Sequence, residues 1–288
     1  PQDVTVSVSG SQTTTMEITS TNQYVGGKFV IKDNTGFRNV TGITITENGT
    51  VNAQNDLDNI KLYYELDTSN PYDCAGESYG GGETQFGSTD TDGFSAADGT
   101  SAFTGSVGID TTSTMCVYVV LDVLSGVTDD ETLEIKINNP STEVTVSAGN
   151  VSPSSPVEIS GTTTLKVPVT VSTGGSQSSS IDIFSTDQYV GGKFVITDNT
   201  GSRNVTGITI TENGTVDAQN YLDNIKLYYE LDTSGPYDCM SESYGGSETQ
   251  FGSTDTDGFS AADGISAFTG SVGISTTSAM CVYVVLDV

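Results

Sequence analysis

The sequence predicts an all-β fold built from two tandem antiparallel β-sandwiches, Ig-like or jelly-roll-like, with a repeat period of 165 residues. Two observations support this prediction. Apolar and polar residues alternate through short segments, which is the pattern of strands with one buried face. In addition, residues 21–123 match residues 186–288 without a gap and with 12 differences. A unit of this length is large enough to fold as a domain by itself.

Seven segments of the first copy have the strand pattern, and stretches rich in Asn, Asp and Gly separate them as turns. These segments are DVTVSV, TTMEIT, GKFVI, VTGITIT, NIKLYYEL, SAFTGSVGI and MCVYVVLDV. No stretch shows sustained helical periodicity. We therefore assign residues 1–165 to the first sandwich unit and residues 166–288 to the second.

Residues 124–165 have no counterpart in the second copy. They contain three further strand patterns, TLEIKIN, EVTVS and PVEIS, and form a strand-rich junction ahead of TTTLKVPVTV at 162–171. Pro168 lies inside that last run, and proline is tolerated in a sheet only at an edge or a bulge. Two explanations of the missing counterpart stay open. The chain is a window onto a longer array, or strands from elsewhere complete the second copy.

Composition excludes several classes of protein. The chain has 37 acidic and 9 basic residues, a net charge of −28 and no histidine. A nucleic-acid-binding protein needs a basic surface, so we expect no nucleic-acid partner. No apolar run approaches the ~20 residues of a membrane span, so we expect no membrane insertion. The lack of histidine removes His-dependent catalytic triads and His-ligated zinc.

The four cysteines occur as one pair in each copy, with the same spacing. Since no CxxC motif accompanies them, we predict one disulfide in each unit rather than zinc sites, Cys74–Cys116 and Cys239–Cys281. Disulfides persist in oxidising surroundings. We therefore expect an extracellular or cell-surface location.

An acidic loop, GSTDTDGFSAADG, occurs at residues 87–99 and again at 252–264. Its carboxylates and hydroxyls are the hard oxygen ligands that Ca²⁺ prefers, and its glycines let backbone carbonyls turn inward. The loop is not an EF-hand, because the later ligand positions are missing. We predict calcium binding, with a solvated acidic turn as the alternative. The predicted ligands are Asp90, Asp92, Asp98, Asp255, Asp257 and Asp263.

A second acidic cluster is a weaker metal candidate in each copy. A polar strand end and turn is the favoured interpretation of this cluster, and metal binding is the second choice. The residues concerned are Glu65, Asp67, Asp73, Glu230, Asp232 and Asp238.

Two other kinds of site are compatible with the sequence. Five sequons permit N-glycosylation, at Asn39, Asn48, Asn150, Asn204 and Asn213. Four tyrosines of the first copy lie close together in sequence and offer a glycan-binding surface; they are Tyr63, Tyr64, Tyr72 and Tyr79. Pairs of carboxylates arise by chance in so acidic a chain, so we expect no glycosidase and no other enzyme activity.

Four features together suggest a resemblance to known proteins. They are the near-identical repeat, the Ser/Thr-rich strands, the cysteine pair in each unit and the acidic DTDG loop. The chain resembles the tandem β-sandwich stalks of microbial surface adhesins, and extracellular fibres or pili built by strand exchange. This resemblance implies calcium that stiffens loops or junctions, and strand donation that joins subunits. We therefore expect a structural, self-assembling module whose partners are neighbouring repeats and divalent cations. The alternative is a carbohydrate- or receptor-binding adhesin module.

Overall fold

β-Strands dominate the computed structural model, which describes residues 3–288. The chain divides into two units, the first ending at Lys166 and the second running from Val167 to Val288. The prediction of an all-β protein is confirmed, and a sandwich-like fold fits the several sheets of the structure. Within the described residues, no helix is long and apolar enough to span a membrane.

The described residues of the first unit form fifteen strands and two short helices. The elements up to residue 123 are β1 (Val4–Gln12), β2 (Thr15–Glu17), β3 (Ser20–Tyr24), β4 (Gly26–Asp33), β5 (Phe37–Glu47), α1 (Ala53–Asp56), β6 (Leu57–Asp67), β7 (Thr84–Asp90), β8 (Thr100–Asp110) and β9 (Thr114–Val123). The later elements are β10 (Thr132–Leu133), β11 (Ile135–Ile137), α2 (Pro140–Glu143), β12 (Val144–Val146), β13 (Val151–Ser152), β14 (Val157–Glu158) and β15 (Thr163–Lys166).

Two sheets of the first unit enclose its core. In one sheet the strand order is β13-β1-β4-β9-β6-β7, with β3 also paired to β9. In the other sheet β5 is the shared strand: β8, β12 and β11 all pair with β5, and β14 pairs with β11. Strand β9 is buried along its whole length, because strands flank it on both sides and the core covers it. A third, small sheet has the order β10-β15-β2.

Residues 124–166, here named the covering segment, belong to the first unit. Four of its strands return to pair with strands that lie about 90 to 150 residues earlier. Strand β13 runs parallel to β1, with Val4 opposite Val151. Strand β12 runs antiparallel to β5, and β15 runs parallel to β2. The covering segment therefore completes the edges of both main sheets.

The second unit repeats the element order of residues 1–123, except that none of its described residues forms a strand equivalent to β2. Its elements are β16 (Val169–Gln177), β17 (Gln188–Tyr189), β18 (Gly191–Asp198), β19 (Ser202–Thr211), α3 (Ala218–Tyr221), β20 (Asp223–Asp232), β21 (Thr249–Asp255), β22 (Ile265–Ser275) and β23 (Ala279–Asp287). One sheet has the order β16-β18-β23-β20-β21, with β17 on β23, and the other contains β19 and β22. Strands β16 and β19 each have one paired edge in the described chain.

Three of the differences between the structure and the predicted elements concern the acidic loop, the run 162–171 and strand β3. Residues 84–90 form β7, so the acidic loop begins inside a strand rather than in a turn. The run 162–171 is split into two strands, with Val167 and Pro168 between them. Strand β3 was not predicted, because its residues STNQY are mostly polar and show no alternation of apolar and polar positions.

Candidate functional site

The acidic loop of the first unit is organised by Asp90 at the end of β7. Its Oδ1 atom accepts a hydrogen bond from the amide of Asp92 at 3.2 Å. Its Oδ2 atom accepts one from the hydroxyl of Ser101 at 2.6 Å, and Ser101 is buried. The second unit has the same pair of bonds around Asp255. Each of these carboxylates therefore holds its own turn closed.

The predicted calcium ligands do not form a ready-made carboxylate cage. Among residues 3–288, no group of three or more His, Cys, Asp or Glu side chains is positioned to hold a metal ion. Backbone oxygens do lie under the loop: a Cβ atom built on Gly93 would lie 2.7 Å from the carbonyl oxygen of Leu57 and 3.2 Å from that of Gln54. The positive φ of Gly93 brings the loop this close to those carbonyls. Calcium binding by Asp90, Asp92 and Asp98 stays a prediction.

A buried carboxylate that the sequence analysis missed lies beside this loop. Glu47 at the end of β5 is fully buried, and its Oε1 atom accepts hydrogen bonds from the amides of Gly49 at 2.6 Å and Glu134 at 3.1 Å. Its Oε2 atom is buried without a partner. Burial, together with the negative charge of Asp98, raises the pKa of Glu47 to about 7, although hydrogen bonds from backbone amides act in the opposite direction. Because Ile43, Ile45 and Glu47 alternate along β5, the phase of the strand could have predicted an inward carboxylate.

The loop backbone brings Asp98 close to Glu47. The amide of Glu47 donates to the carbonyl of Gly99 at 3.1 Å, and the amide of Ala53 donates to the carbonyl of Ala97 at 3.1 Å. Asp98 therefore lies between two backbone hydrogen bonds that tie the loop to the end of β5 and the start of α1. Glu212, the sequence equivalent of Glu47, likewise has a buried Oε2 atom without a partner.

The second acidic cluster fixes the turn that carries the disulfide. Asp67 is buried, and its two oxygens accept hydrogen bonds from the amides of Ser69 and Cys74, both at 2.9 Å. Asp73 accepts one from the amide of Ala75 at 2.9 Å. These bonds satisfy backbone donors of a tight turn, which is the structural interpretation that the sequence favoured.

The remaining member of this cluster, Glu65, has a different partner. Its Oε1 atom accepts a hydrogen bond from the phenol of the buried Tyr118. Burial, the hydrogen bond to Glu65 and the charge of that carboxylate all raise the pKa of Tyr118. In the second unit, the same contacts are made by Glu230 with Tyr283, by Asp232 with the amides of Ser234 and Cys239, and by Asp238 with the amide of Met240.

Each unit contains one disulfide, Cys74–Cys116 and Cys239–Cys281, with a Cα–Cα distance of 5.8 Å in both. Each bond ties the turn after β6 or β20 to the central strand of its sheet. All four cysteines are fully buried. Two buried disulfides in a β-rich chain fit an extracellular module.

The tyrosines predicted to bind a glycan do not form one surface. Tyr79 packs against Tyr24 and Tyr63, with ring centroids 4.9 and 5.6 Å apart, above the disulfide. Tyr64 packs instead on Phe86, on another side of the strand. Beside Tyr64 lies a shallow depression that also includes Glu65, Leu66, Gly82, Glu83 and Thr84.

The sequons differ in accessibility. Four of the asparagines are exposed, and Asn39 is half-buried within β5. The backbone amide of Asn39 donates to the hydroxyl of Ser147 in the covering segment at 3.1 Å. The exposed sequon asparagines are Asn48, Asn150, Asn204 and Asn213.

Comparisons with known proteins leave the family open. No protein-family model matches the chain, and no curated protein matches it in sequence. Among solved structures it is similar to a transglutaminase of red sea bream, with 9% identity over 94% of this chain and 27% of that chain, and a TM-score of 0.24. It is also similar to the serine-rich repeat protein Srr2 of Streptococcus agalactiae, with 11% identity over 99% of this chain and 83% of that chain, and a TM-score of 0.21. Similarities with TM-scores this low do not establish a shared fold or a shared function.

Proposed function

We propose that the chain is a structural repeat module of an extracellular microbial filament or cell-surface stalk, with a repeat of 165 residues. It assembles end to end through pairing or donation of β-strands. The observation that carries this proposal is the pair of strand edges on β16 and β19, which have no partner in the described chain. Unpaired strand edges are templates for pairing with another polypeptide.

Two further features support a scaffold role. The disulfide and the acidic turns recur with the same bonds in both units. Near-identical copies suit a repetitive scaffold better than a catalytic unit, in which the two copies would be expected to take different roles. The negative charge keeps the modules soluble, since like charges oppose non-specific association.

Calcium belongs to the same proposal, with the acidic loops as its sites. Weak extracellular calcium sites bind with Kd values of about 10⁻⁴–10⁻³ M. The unpartnered Oε2 atom of Glu47 near Asp98 supports an oxygen-rich cation site at the base of the first loop. A bound cation would also reduce the repulsion among carboxylates in a chain of net charge −28.

Thermal unfolding, with light scattering on the same samples, tests both the calcium sites and the end-to-end assembly. We expect millimolar calcium to raise the Tm relative to excess EGTA, and the particles to lengthen with protein concentration. Asp98→Asn with Asp263→Asn should remove the calcium-dependent shift, whereas Glu158→Gln, at an exposed carboxylate outside the loops, should keep it. A Tm indifferent to calcium contradicts the metal sites, and scattering that stays monomeric contradicts end-to-end assembly.

A carbohydrate- or receptor-binding adhesin module is the second proposal. The depression beside Tyr64 supports it, because partly exposed Leu66 lies there next to the carboxylates of Glu65 and Glu83. Apolar surface with a few polar groups is the usual composition of a site for a small ligand. Glycan screening should then give saturable binding that Tyr64→Ala weakens and Tyr72→Ala does not.

A further inference from the structure

Aligned residues of the two units differ sharply in burial on one side of the sandwich. Val6 on β1 is 4% exposed, whereas Val171 on β16 is 65% exposed. Ile18 is 7% exposed, whereas Ile183 is 72% exposed. Each pair lies 165 positions apart in the sequence alignment of the copies. Apolar side chains that are buried in one unit therefore face solvent in the other.

The difference is local and does not reflect a looser second unit. Phe86 and Phe251 are both 1% exposed, and Tyr118 and Tyr283 are both fully buried. The disulfide side and the β7–β8 side are thus packed equally in the two units. We name this side of the second unit the open face, which consists of the exposed Val171, Ile183 and Val216 and the half-buried Val205 and Ile208.

The first unit shows what covers the equivalent face. The amide of Ile18 donates to the carbonyl of Lys166 at 2.9 Å, and the amide of Val51 donates to that of Thr132 at 3.1 Å. Strand β12 lies along β5, with Val144 opposite Ile43. The covering segment contributes buried apolar side chains to this side, namely Leu133, Ile135, Ile137, Val144, Ile159 and Leu165.

A buried polar side chain fixes the covering segment in place. Gln12 on β1 is 6% exposed, and its amide nitrogen donates to the carbonyl of Leu133 at 2.8 Å. Its Oε1 atom accepts from the amide of Ile135 at 2.8 Å. Gln177, the aligned residue of the second unit, is exposed at the end of β16. The second unit therefore has the same glutamine where a covering segment would need it.

A close contact between β5 and the covering segment also has an open counterpart in the second unit. A Cβ atom built on Gly42 would lie 2.6 Å from the hydroxyl oxygen of Thr145 in the covering segment. The nearest atom to a Cβ built on Gly207 is the carbonyl oxygen of Phe268, at 3.6 Å. The space that Thr145 fills in the first unit is therefore open in the second.

We propose that the open face is a binding site for one kind of occupant, an extended polypeptide segment with the strand pattern of residues 124–166 that is not already seated in its own unit. One stretch of it runs parallel along β16 at Val169 and Thr170, as β13 does along β1. Another runs antiparallel along β19 between Val205 and Thr211, as β12 and β11 do along β5. The inference rests on the proposed filament in one respect: it identifies the segment that one module of the filament would donate to another.

Titration of the full 288-residue chain with a synthetic peptide of residues 124–166 tests the site. We expect saturable binding of one peptide per chain, with hydrogen exchange slowed at the amides of β16 and β19. The matched control peptide carries Ile135→Asp and Ile137→Asp, which places charge where the first unit has buried isoleucines. It should not bind.

Two variants of the chain locate the contact. Gly207→Val fills the space at the closest approach, and overpacking of this kind should weaken peptide binding about tenfold or more. Val171→Asp removes an apolar contact at a side chain that the second unit leaves in solvent, so this unit should fold while binding is lost. Peptide binding that both variants leave unchanged, or exchange protection that is absent from β16 and β19, overturns the proposal.

The outcomes separate this site from the filament. Peptide binding by a chain that stays monomeric supports the site and contradicts assembly. Fibres from a chain that does not bind the peptide contradict the site alone. A dimer formed through β19 that the peptide fails to displace identifies a second copy as the occupant and also overturns the proposal.

Discussion

The side-chain amide of Gln12 donates a hydrogen bond to the backbone carbonyl of Leu133, which lies 121 positions later in the chain. The same side chain bonds the hydroxyl of Thr163 at 3.1 Å and the amide of Ile135 at 2.8 Å. Because all these groups are buried, each would be costly without its partner. One side chain thus ties the covering segment to the first strand of its unit.

Gln12→Ala should therefore destabilise the first unit. It leaves the amide of Ile135 and the carbonyl of Leu133 without partners, and each such buried group costs about 1–3 kcal/mol. We expect the free energy of opening of β11 and β15, measured by native-state hydrogen exchange, to fall by about 2–4 kcal/mol. Gln177→Ala, at the exposed aligned position, should change the free energy of opening of the second unit by less than about 0.5 kcal/mol. Equal effects of the two variants would contradict the role of Gln12.

Gly42→Val should loosen the covering segment. The new side chain would meet the hydroxyl of Thr145, and overpacking in a filled site costs about 1–3 kcal/mol. Faster hydrogen exchange in β12 is the expected measurement. Gly207→Val, where the nearest atom is 3.6 Å away, should leave exchange in β19 unchanged. A destabilised second unit would mean that its face is closed in solution.

Reduction of the disulfides should destabilise both units by similar amounts. Each closes a loop with a sequence separation of 42, which the chain-entropy model values at about 4 kcal/mol. Chemical denaturation of Cys74→Ala/Cys116→Ala and of Cys239→Ala/Cys281→Ala measures each unit in turn. A loss confined to one unit would contradict the equal packing around the two bonds.

The buried carboxyl group of Glu47 should make stability fall as the pH rises. In the unfolded chain it ionises near pH 4.5, whereas burial raises its pKa to about 7 in the folded protein. Between these values only the unfolded state loses its proton, so the free energy of unfolding decreases, and above pH 7 the loss is complete. At about 1.4 kcal/mol per pKa unit, the loss approaches about 3 kcal/mol.

Glu47→Gln removes this titration, so the variant should gain stability relative to the wild type from pH 5 to pH 8. Urea unfolding in the presence of EDTA at several pH values is the measurement. Glu158→Gln, at an exposed carboxylate, serves as the control and should track the wild type. A constant difference between wild type and Glu47→Gln across this range would show that Glu47 ionises normally in the folded protein.

The period-two pattern was sufficient to locate most long strands, because a half-buried strand alternates in its sequence. Strand β7 was not predicted, because Gly87 interrupts the alternation within TQFGSTD. In the structure Gly87 lies in a bulge at φ +75°, where a Cβ atom would lie 2.6 Å from the carbonyl oxygen of Thr104. A glycine that permits a close approach and a glycine that ends a strand are the same letter in a sequence.

The sequence by itself determined the all-β class, because alternation and turn residues are local signals. It also identified residues 124–165 as the part of the chain without a second copy. Only the tertiary structure decided where that part lies: Val151 pairs with Val4, and Val144 pairs with Ile43. Those pairings join residues about a hundred or more positions apart. They depend on which edges the rest of the fold leaves unpaired, and no local pattern encodes that.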